Sequence, residues 1–402
     1  MKTHRPGILA CIMLIVSILS GCTAKPAQII PAITAGIFHT CALNSDGEMK
    51  CWGGNEYGQL GDGTTTQRLT PVAVVGLTSK VIAISAGGYH TCALISTGAV
   101  KCWGKNNFGQ LGDGTTTHQI NPVDVSELPK RIKSIAAGIN HTCAVTSKGN
   151  VKCWGDNQAG ALGNGMYKYG GQLTPVDVVE LSRGVVAIDA ADGLTCALIE
   201  SGKIKCWGSR FFGGLGDGTS DFSYTPIDVS GVSNAIAISA GDYHVCALTS
   251  DSGVKCWGNN SFGGIGTGTL DQTSLFDPNF LTNAIYPIPV DVRDLTSGVR
   301  AIATGERHTC ALTSEGNVKC WGANDAGQLG DGNVLPMPPF TTATPVDVVG
   351  LSGSVSTLTA GAYHTCALLQ DGAIQCWGSN GVGQLGDGTT TPQLTPVGVI
   401  VQ

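Results

Sequence analysis

The side chains best suited to chemistry in this chain are copied at fixed places. Six histidines, His39, His90, His141, His244, His308 and His364, each stand two residues before a cysteine. Histidine is the commonest acid–base group and a frequent metal ligand. A further cysteine ten residues on gives sets such as His39, Cys41 and Cys51 the donor types of a metal site. Five aspartates, Asp62, Asp113, Asp217, Asp331 and Asp387, lie in Gly-Asp-Gly, which has a superficial likeness to a calcium loop. The copying argues against both uses. Catalysis needs one asymmetric constellation, whereas a histidine present in repeat after repeat reads as a hydrogen-bonded structural part. A calcium loop needs a series of carboxylates, so Gly-Asp-Gly reads as a turn. Gly-x-Ser-x-Gly, a phosphate loop and His-Glu-x-x-His are absent from the sequence. No catalytic residue, cofactor or metal is expected.

The cysteines carry the stronger signal. Pairs ten positions apart recur seven times, each second member followed by Trp-Gly: Cys41 and Cys51, Cys92 and Cys102, Cys143 and Cys153, Cys196 and Cys206, Cys246 and Cys256, Cys310 and Cys320, Cys366 and Cys376. Successive first cysteines are 51, 51, 53, 50, 64 and 56 residues apart, a period close to that of four-stranded propeller blades and too long for helical repeats. Within one unit, Ile33–Gly36 opens a strand and His39–Leu43 continues to Asn44-Ser45-Asp46-Gly47, a hairpin turn. Glu48–Gly53 returns. Folding about Asp46 sets Cys41 opposite Cys51, at a separation a disulfide tolerates, with Thr40 and Trp52 on the other side. Strands such as Thr70–Val74 precede the later units, and none precedes Ile33. The matching segment, Leu394–Ile400, is at the far end of the chain. The expectation is therefore an all-β, seven-bladed β-propeller of four-stranded antiparallel blades, closed by the C-terminal strand joining the N-terminal blade.

The start of the chain is of another kind. Lys2 and Arg5 precede an apolar run from Gly7 to Leu19, too short to span a bilayer, and Leu19-Ser20-Gly21-Cys22 matches a lipoprotein signal peptidase site. The expected organisation is a signal peptide at 1–21, a lipidated tether at 22–28 with the lipid on Cys22, and the propeller at 29–402. An ordinary secretory signal with an incidental cysteine is the alternative. Thr23, not Asp, follows Cys22, which places the protein at the outer membrane or cell surface of a bacterial envelope. Of sixteen cysteines, Cys11 leaves with the signal and Cys22 takes the lipid. The remaining fourteen form an even set, which in an exported chain argues for seven disulfides over metal sites. Loss of residues 1–21 leaves 21 basic against 29 acidic side chains. With no basic run or aromatic–basic stripe, nucleic acid is excluded as an expected partner.

His-Thr-Cys-Ala-Leu, followed by Val-Lys-Cys-Trp-Gly-x-Asn-x-x-Gly-Gln-Leu-Gly-Asp-Gly, resembles the repeat of the regulator of chromosome condensation family. The resemblance covers Ile33 to Gln402 and implies a seven-bladed propeller. Blade four departs, with Leu194 for histidine and Ala191 for glycine, and blade five ends Gly266-Thr267-Gly268 without aspartate. Eukaryotic members promote guanine-nucleotide exchange on a small GTPase, a partner an exported protein would not meet. The family's plant ultraviolet receptor senses light through tryptophan in Gly-Trp-Arg-His-Thr. Here Ile37, Gly88, Ile139, Asp242, Glu306 and Ala362 follow the glycine, so that mechanism is not implied. Secreted bacterial relatives include propellers that bind and inhibit an enzyme.

What differs between blades bears on function. The residue before the repeat histidine is Phe38, Tyr89, Asn140, Tyr243, Arg307 or Tyr363, with Gly193 in blade four. Aromatics and arginine have the composition of binding hot spots, which makes Phe38, Tyr89, Tyr243, Arg307 and Tyr363 candidates for binding a partner. The alternative is that each covers its own blade. Tyr57, Phe108, Phe212 and Phe262 read as packing residues. Extra sequence at Met166–Gly171, Leu270–Pro289 and Asn333–Thr344 falls in one equivalent connection, functional or merely tolerated. The reading is a monomeric, lipid-anchored propeller that binds a protein or other envelope macromolecule. An envelope enzyme with its site in the blade loops and a structural or adhesive surface protein are the alternatives.

Overall fold

The computed structural model describes residues 29–209, 213–270, 284–333 and 341–400. The expected signal peptide, Cys22 and the tether lie outside the described residues, as do Phe212, Phe276, Phe280 and residues 334–340. The described residues form 28 strands in seven four-stranded antiparallel sheets, with no α-helix among them. Each sheet uses four strands consecutive in the chain. In blade one these are β1 (Ala32–Ala35), β2 (His39–Leu43), β3 (Met49–Gly53) and β4 (Arg68–Ala73), and numbering continues to β28 (Gln393–Gly398). The first strands of successive blades pack side by side around a channel, and β1 packs on β25 (Val355–Ala360) of blade seven. The chain is thus a closed seven-bladed propeller.

The hairpin follows the sequence logic closely. Gly47 adopts φ 80°, and β2 pairs with β3 so that Cys41 lies opposite Cys51 and Thr40 opposite Trp52. All seven cysteine pairs are disulfides: Cys41 with Cys51, Cys92 with Cys102, Cys143 with Cys153, Cys196 with Cys206, Cys246 with Cys256, Cys310 with Cys320 and Cys366 with Cys376. Each holds its Cα atoms 4.1 Å apart. Sulfur and indole are both fully buried, on opposite faces of the blade.

The expected closure is overturned. β28 pairs with β27 (Ile374–Gly378) of its own blade, Val397 opposite Cys376. Blade one is completed by β4, with Val72 opposite Cys51. The Thr-Pro-Val strand ends a blade and does not begin the next, so no strand is missing before Ile33. The seams, without strand exchange, are held by isolated backbone bonds such as Gly388 N–H to the Leu69 carbonyl at 3.0 Å and by side chains, and the same contacts recur at all seven. Trp103 Nε1 donates to the carbonyl of Gln59 in the preceding blade at 2.9 Å. Trp52 does the same to Gln384 across the closing seam, also at 2.9 Å. Gly61, at φ 67°, lies where a Cβ would strike the Trp103 ring, so the Gly-Gln-Leu-Gly turn can lie flat on the next blade's indole only because it lacks a side chain there.

Candidate functional site

The repeat histidines are joints. His39 Nε2 lies 2.9 Å from Thr91 Oγ1 of the next blade, and Thr91 donates its own proton to the Gln59 carbonyl at 2.8 Å. Threonine must therefore accept from the imidazole, which puts the imidazole proton on Nε2. The link recurs from His90 to Thr142, His141 to Thr195, His244 to Thr309, His308 to Thr365 and, across the closing seam, His364 to Thr40. Burial drives the imidazoles of His39, His90 and His308 down to about 3 and those of His141, His244 and His364 to about 4, so all six are neutral. The missing joint is missing on both sides: blade four has Leu194 and blade five has Val245 in place of threonine. In blade one, a Cβ at Gly36 would strike the His39 ring. Blade four carries Ala191 at that position and has no imidazole to strike.

The Gly-Asp-Gly aspartates are turn residues, as read. Asp62 accepts from Asn55 Nδ2 at 3.1 Å, Thr64 N at 3.0 Å and Thr64 Oγ1 at 2.8 Å. Among the described residues, no group of three or more His, Cys, Asp and Glu could hold a metal ion.

The two ends of the ring differ. At one end lie short hairpins such as Asn44–Glu48 and the crossings from blade to blade. At the other, the loop end, lie the turns between first and second strands and the longer connections between third and fourth. The candidate binding residues are all at the loop end, half-buried, in two groups. Phe38 and Tyr89 have centroids 5.9 Å apart, Tyr57 meets Tyr89 edge-on at 5.5 Å, and Lys105 Nζ lies 5.1 Å from the Tyr89 centroid. Tyr243 meets Phe262 at 5.6 Å, and Arg307 lies over both, 5.3 and 4.4 Å from their centroids. Arg307 also pairs with Glu306 at 2.8 Å. The Tyr363 hydroxyl bonds to Glu306, and burial together with that carboxylate raises the phenol well above its usual range. Tyr57 and Phe262, read as packing residues, are therefore part of these groups. The extra sequence in blade three is partly strand: β12 (Lys168–Asp177) extends the blade to pair Lys168 with Asn157.

Two features escaped the sequence reading. Phe222 and Tyr224 meet at 5.0 Å, and Tyr224 meets Tyr167 at 6.3 Å. Beside them Met166, Tyr167 and Phe222 are 61%, 55% and 47% exposed, a concentration of apolar surface on blades three and four. The signal was present, because Tyr224 stands where blades one, two, three and seven carry Leu69, Ile120, Leu173 and Leu394. The second feature is acidic. Asp192, Asp242 and Glu306 occupy one equivalent position in blades four, five and six, and Asp242 and Glu306 line the mouth of the channel. Burial, then the charges of Asp192 and Glu306, push the Asp242 carboxyl up to about 7. Burial raises Asp192 and Asp156 too, with the Asp156 charge adding to the rise at Asp192. Deeper in, Asp189 accepts from Ala240 N at 2.8 Å and Ala190 N at 3.0 Å, and burial lifts it to about 6. Such a cluster attracts cationic groups. Each described cysteine is in a disulfide and each repeat histidine is in a seam, so neither supplies a nucleophile or base beside these carboxylates.

The RCC1-like domain matches residues 14–283, and the regulator of chromosome condensation (RCC1) repeat matches 299–328, 315–368 and 355–384. The chain belongs to the RCC1-repeat family. Among its RCC1-type relatives, the ultraviolet-B receptor UVR8 of Arabidopsis thaliana is 32% identical over 93% of this chain and 82% of that protein. The human E3 ubiquitin-protein ligase HERC2 is 29% identical over 84% of this chain, but the match spans only 6% of HERC2. Yeast RCC1 (Prp20), in its structure bound to Kap60, superposes with TM-score 0.77 at 21% identity, over 96% of this chain and 90% of that one. Human WBSCR16 gives 0.76 at 22% identity, over 88% and 94%. These structures share the RCC1-type fold.

Proposed function

We propose that this RCC1-type propeller is lipid-anchored at the bacterial cell envelope and binds a protein through its loop end, as an interaction or inhibitory module. One observation carries the binding reading: the departures from seven-fold repetition gather at that end. The acids Asp192, Asp242 and Glu306, the two cation–aromatic groups and the surface of Met166, Tyr167 and Phe222 belong there, whereas the opposite end repeats short turns. Relatives support a protein partner, since yeast RCC1 is bound by Kap60 and Prp20p has binding properties towards Gsp1p and histones. Three acids with one paired arginine favour a basic surface on the partner. The anchor rests on Lys2, Arg5, the apolar run and Leu19–Cys22.

A single observation favours an envelope enzyme as the second reading: Asp242 at the channel mouth, with its carboxyl near 7. The two readings part in one experiment. Oxidised protein from Thr23 onward is used to capture partners from a detergent extract of the native envelope. Beside it are set a variant with Asp192→Asn, Asp242→Asn and Glu306→Gln, and another with Phe38, Tyr89, Tyr243 and Tyr363 changed to alanine. A protein held by the parent and lost by a folded loop-end variant is the expected result. Equal capture by all three, or none by any, would sink the loop-end reading. Labelled fatty acid should enter the full chain and not Cys22→Ser, and equal labelling would remove the anchor.

A further inference from the structure

The hairpin end repeats in backbone but not in charge. Its turns between second and third strands are four or five residues long in every blade. The residue before the turn glycine is acidic in blades one, six and seven, as Asp46, Glu315 and Asp371, and cationic in blade three, as Lys148. Two crossings between blades flank Lys148. Ser147 N–H donates to the Arg131 carbonyl at 2.9 Å, which brings Lys130, Arg131 and Lys133 against that turn. Arg183 comes from the other side, because Val185 N–H donates to the Gly149 carbonyl at 3.2 Å. Lys203, in the turn of blade four, continues the series. All six cations are exposed, and among the described residues none is in an ion pair. The acids of the same segments are Glu127, Glu180 and Glu200. In a chain of 29 acids against 23 lysines and arginines, this arc reverses the sign.

Arg131 is held there against its backbone preference. Its φ is 79°, and the equivalent residues of two other crossings are glycines, Gly184 at 79° and Gly298 at 77°. That conformation costs an L-residue and not glycine. An arginine kept where the fold calls for glycine points to a use for its charge outside the fold.

We propose that this basic arc is a docking surface for an anionic lipid membrane. The choice of a membrane rests on the anchor proposed above, and the geometry agrees with it, since the chain joins the ring at this end with Ile29 packed beside Gly47. Four of the six cations are lysines, spread from the second blade to the fourth. Such hydrated point charges suit an array of headgroup phosphates better than one bound ligand. No aromatic side chain stands in these segments to stack on a base, so nucleic acid fits less well. Docked this way, the ring stands on its hairpin end and turns the loop end outward, free for the protein proposed there.

Sedimentation with vesicles tests this on the unlipidated, disulfide-bonded protein from Thr23 onward. It should partition into phosphatidylcholine vesicles that contain phosphatidylglycerol, not into phosphatidylcholine alone, and leave them at about 0.5 M salt, where charge is screened. Lys130→Gln, Arg131→Gly, Lys133→Gln and Lys148→Asp together should weaken partition by about tenfold or more, whereas the loop-end variant of Asp192, Asp242 and Glu306 should match the parent. Arg131→Gly alone should not lower the Tm. No partition, equal partition of parent and basic variant, or tighter binding to a single-stranded oligonucleotide overturns the proposal. So does a Tm lowered by Arg131→Gly, which would assign the arginine to the fold. Because this protein carries no lipid, failure here and failure of the fatty-acid labelling are read separately.

Discussion

At the scale of the residue, the His–Thr joint explains a departure that is opaque in the sequence. Leu194 breaks the histidine series, and Val245, 51 positions on, breaks the threonine series. The two positions face each other across one seam. Removing one partner of a buried hydrogen bond leaves the other unsatisfied, whereas replacing both by apolar groups costs little. The same exchange can be made at an intact joint. Thr91→Val leaves the Nε2 proton of His39 without an acceptor and should destabilise by about 2 kcal/mol. Adding His39→Leu should recover roughly half of that, a coupling well above the ~0.5 kcal/mol expected of independent sites. Urea denaturation of the two single variants and the pair completes the cycle. Simple additivity would mean that the bond has no energetic role.

At the scale of the element, each disulfide joins positions ten apart in one hairpin, so it limits that hairpin's freedom when unfolded and links nothing across a seam. Changing Cys92 and Cys102 together to alanine should cost roughly 3 kcal/mol, and the same change of Cys143 and Cys153 in blade three should cost a similar amount. Alkylation of the unreduced protein followed by mass spectrometry should label none of the fourteen paired cysteines, and one labelled pair would remove its bridge. Hairpin register was legible because cysteine, tryptophan and the turn glycine fix it three times over. The phase of the repeat was not. A periodic sequence does not say where one unit ends, and Thr70–Val74 can be assigned to either neighbouring blade until its pairing with β3 is seen. That ambiguity produced the wrong closure. The acidic mouth was hidden for a related reason: Asp192, Asp242 and Glu306 lie 50 and 64 residues apart, and only the closed ring sets them side by side.

At the scale of the whole molecule, the six seam histidines act together on stability. All are held at about 3 to 4 in the fold, whereas an unfolded histidine titrates near 6.5. Above about pH 7.5 both states are essentially neutral at these sites and little is lost. As pH falls from there towards 4, the unfolded chain takes up protons that the native chain refuses, and stability declines. Asp156, Asp189, Asp192 and Asp242 oppose this, because their carboxyls are raised in the fold and bind protons earlier than in the unfolded chain. Six sites against four leave the histidines ahead, with a net uptake of roughly two to four protons on unfolding near pH 5. Stability from urea denaturation should therefore be nearly level from pH 8 to about 7.5 and fall steadily from there to pH 4.5. Asp242→Asn removes one opposing site and should steepen the fall between pH 7 and 5, while His39→Leu with Thr91→Val removes one contributing site and should make it shallower. Stability that holds or rises towards acid would mean that the imidazoles are protonated within the seams, and the neutral Nε2–H joint would then be wrong.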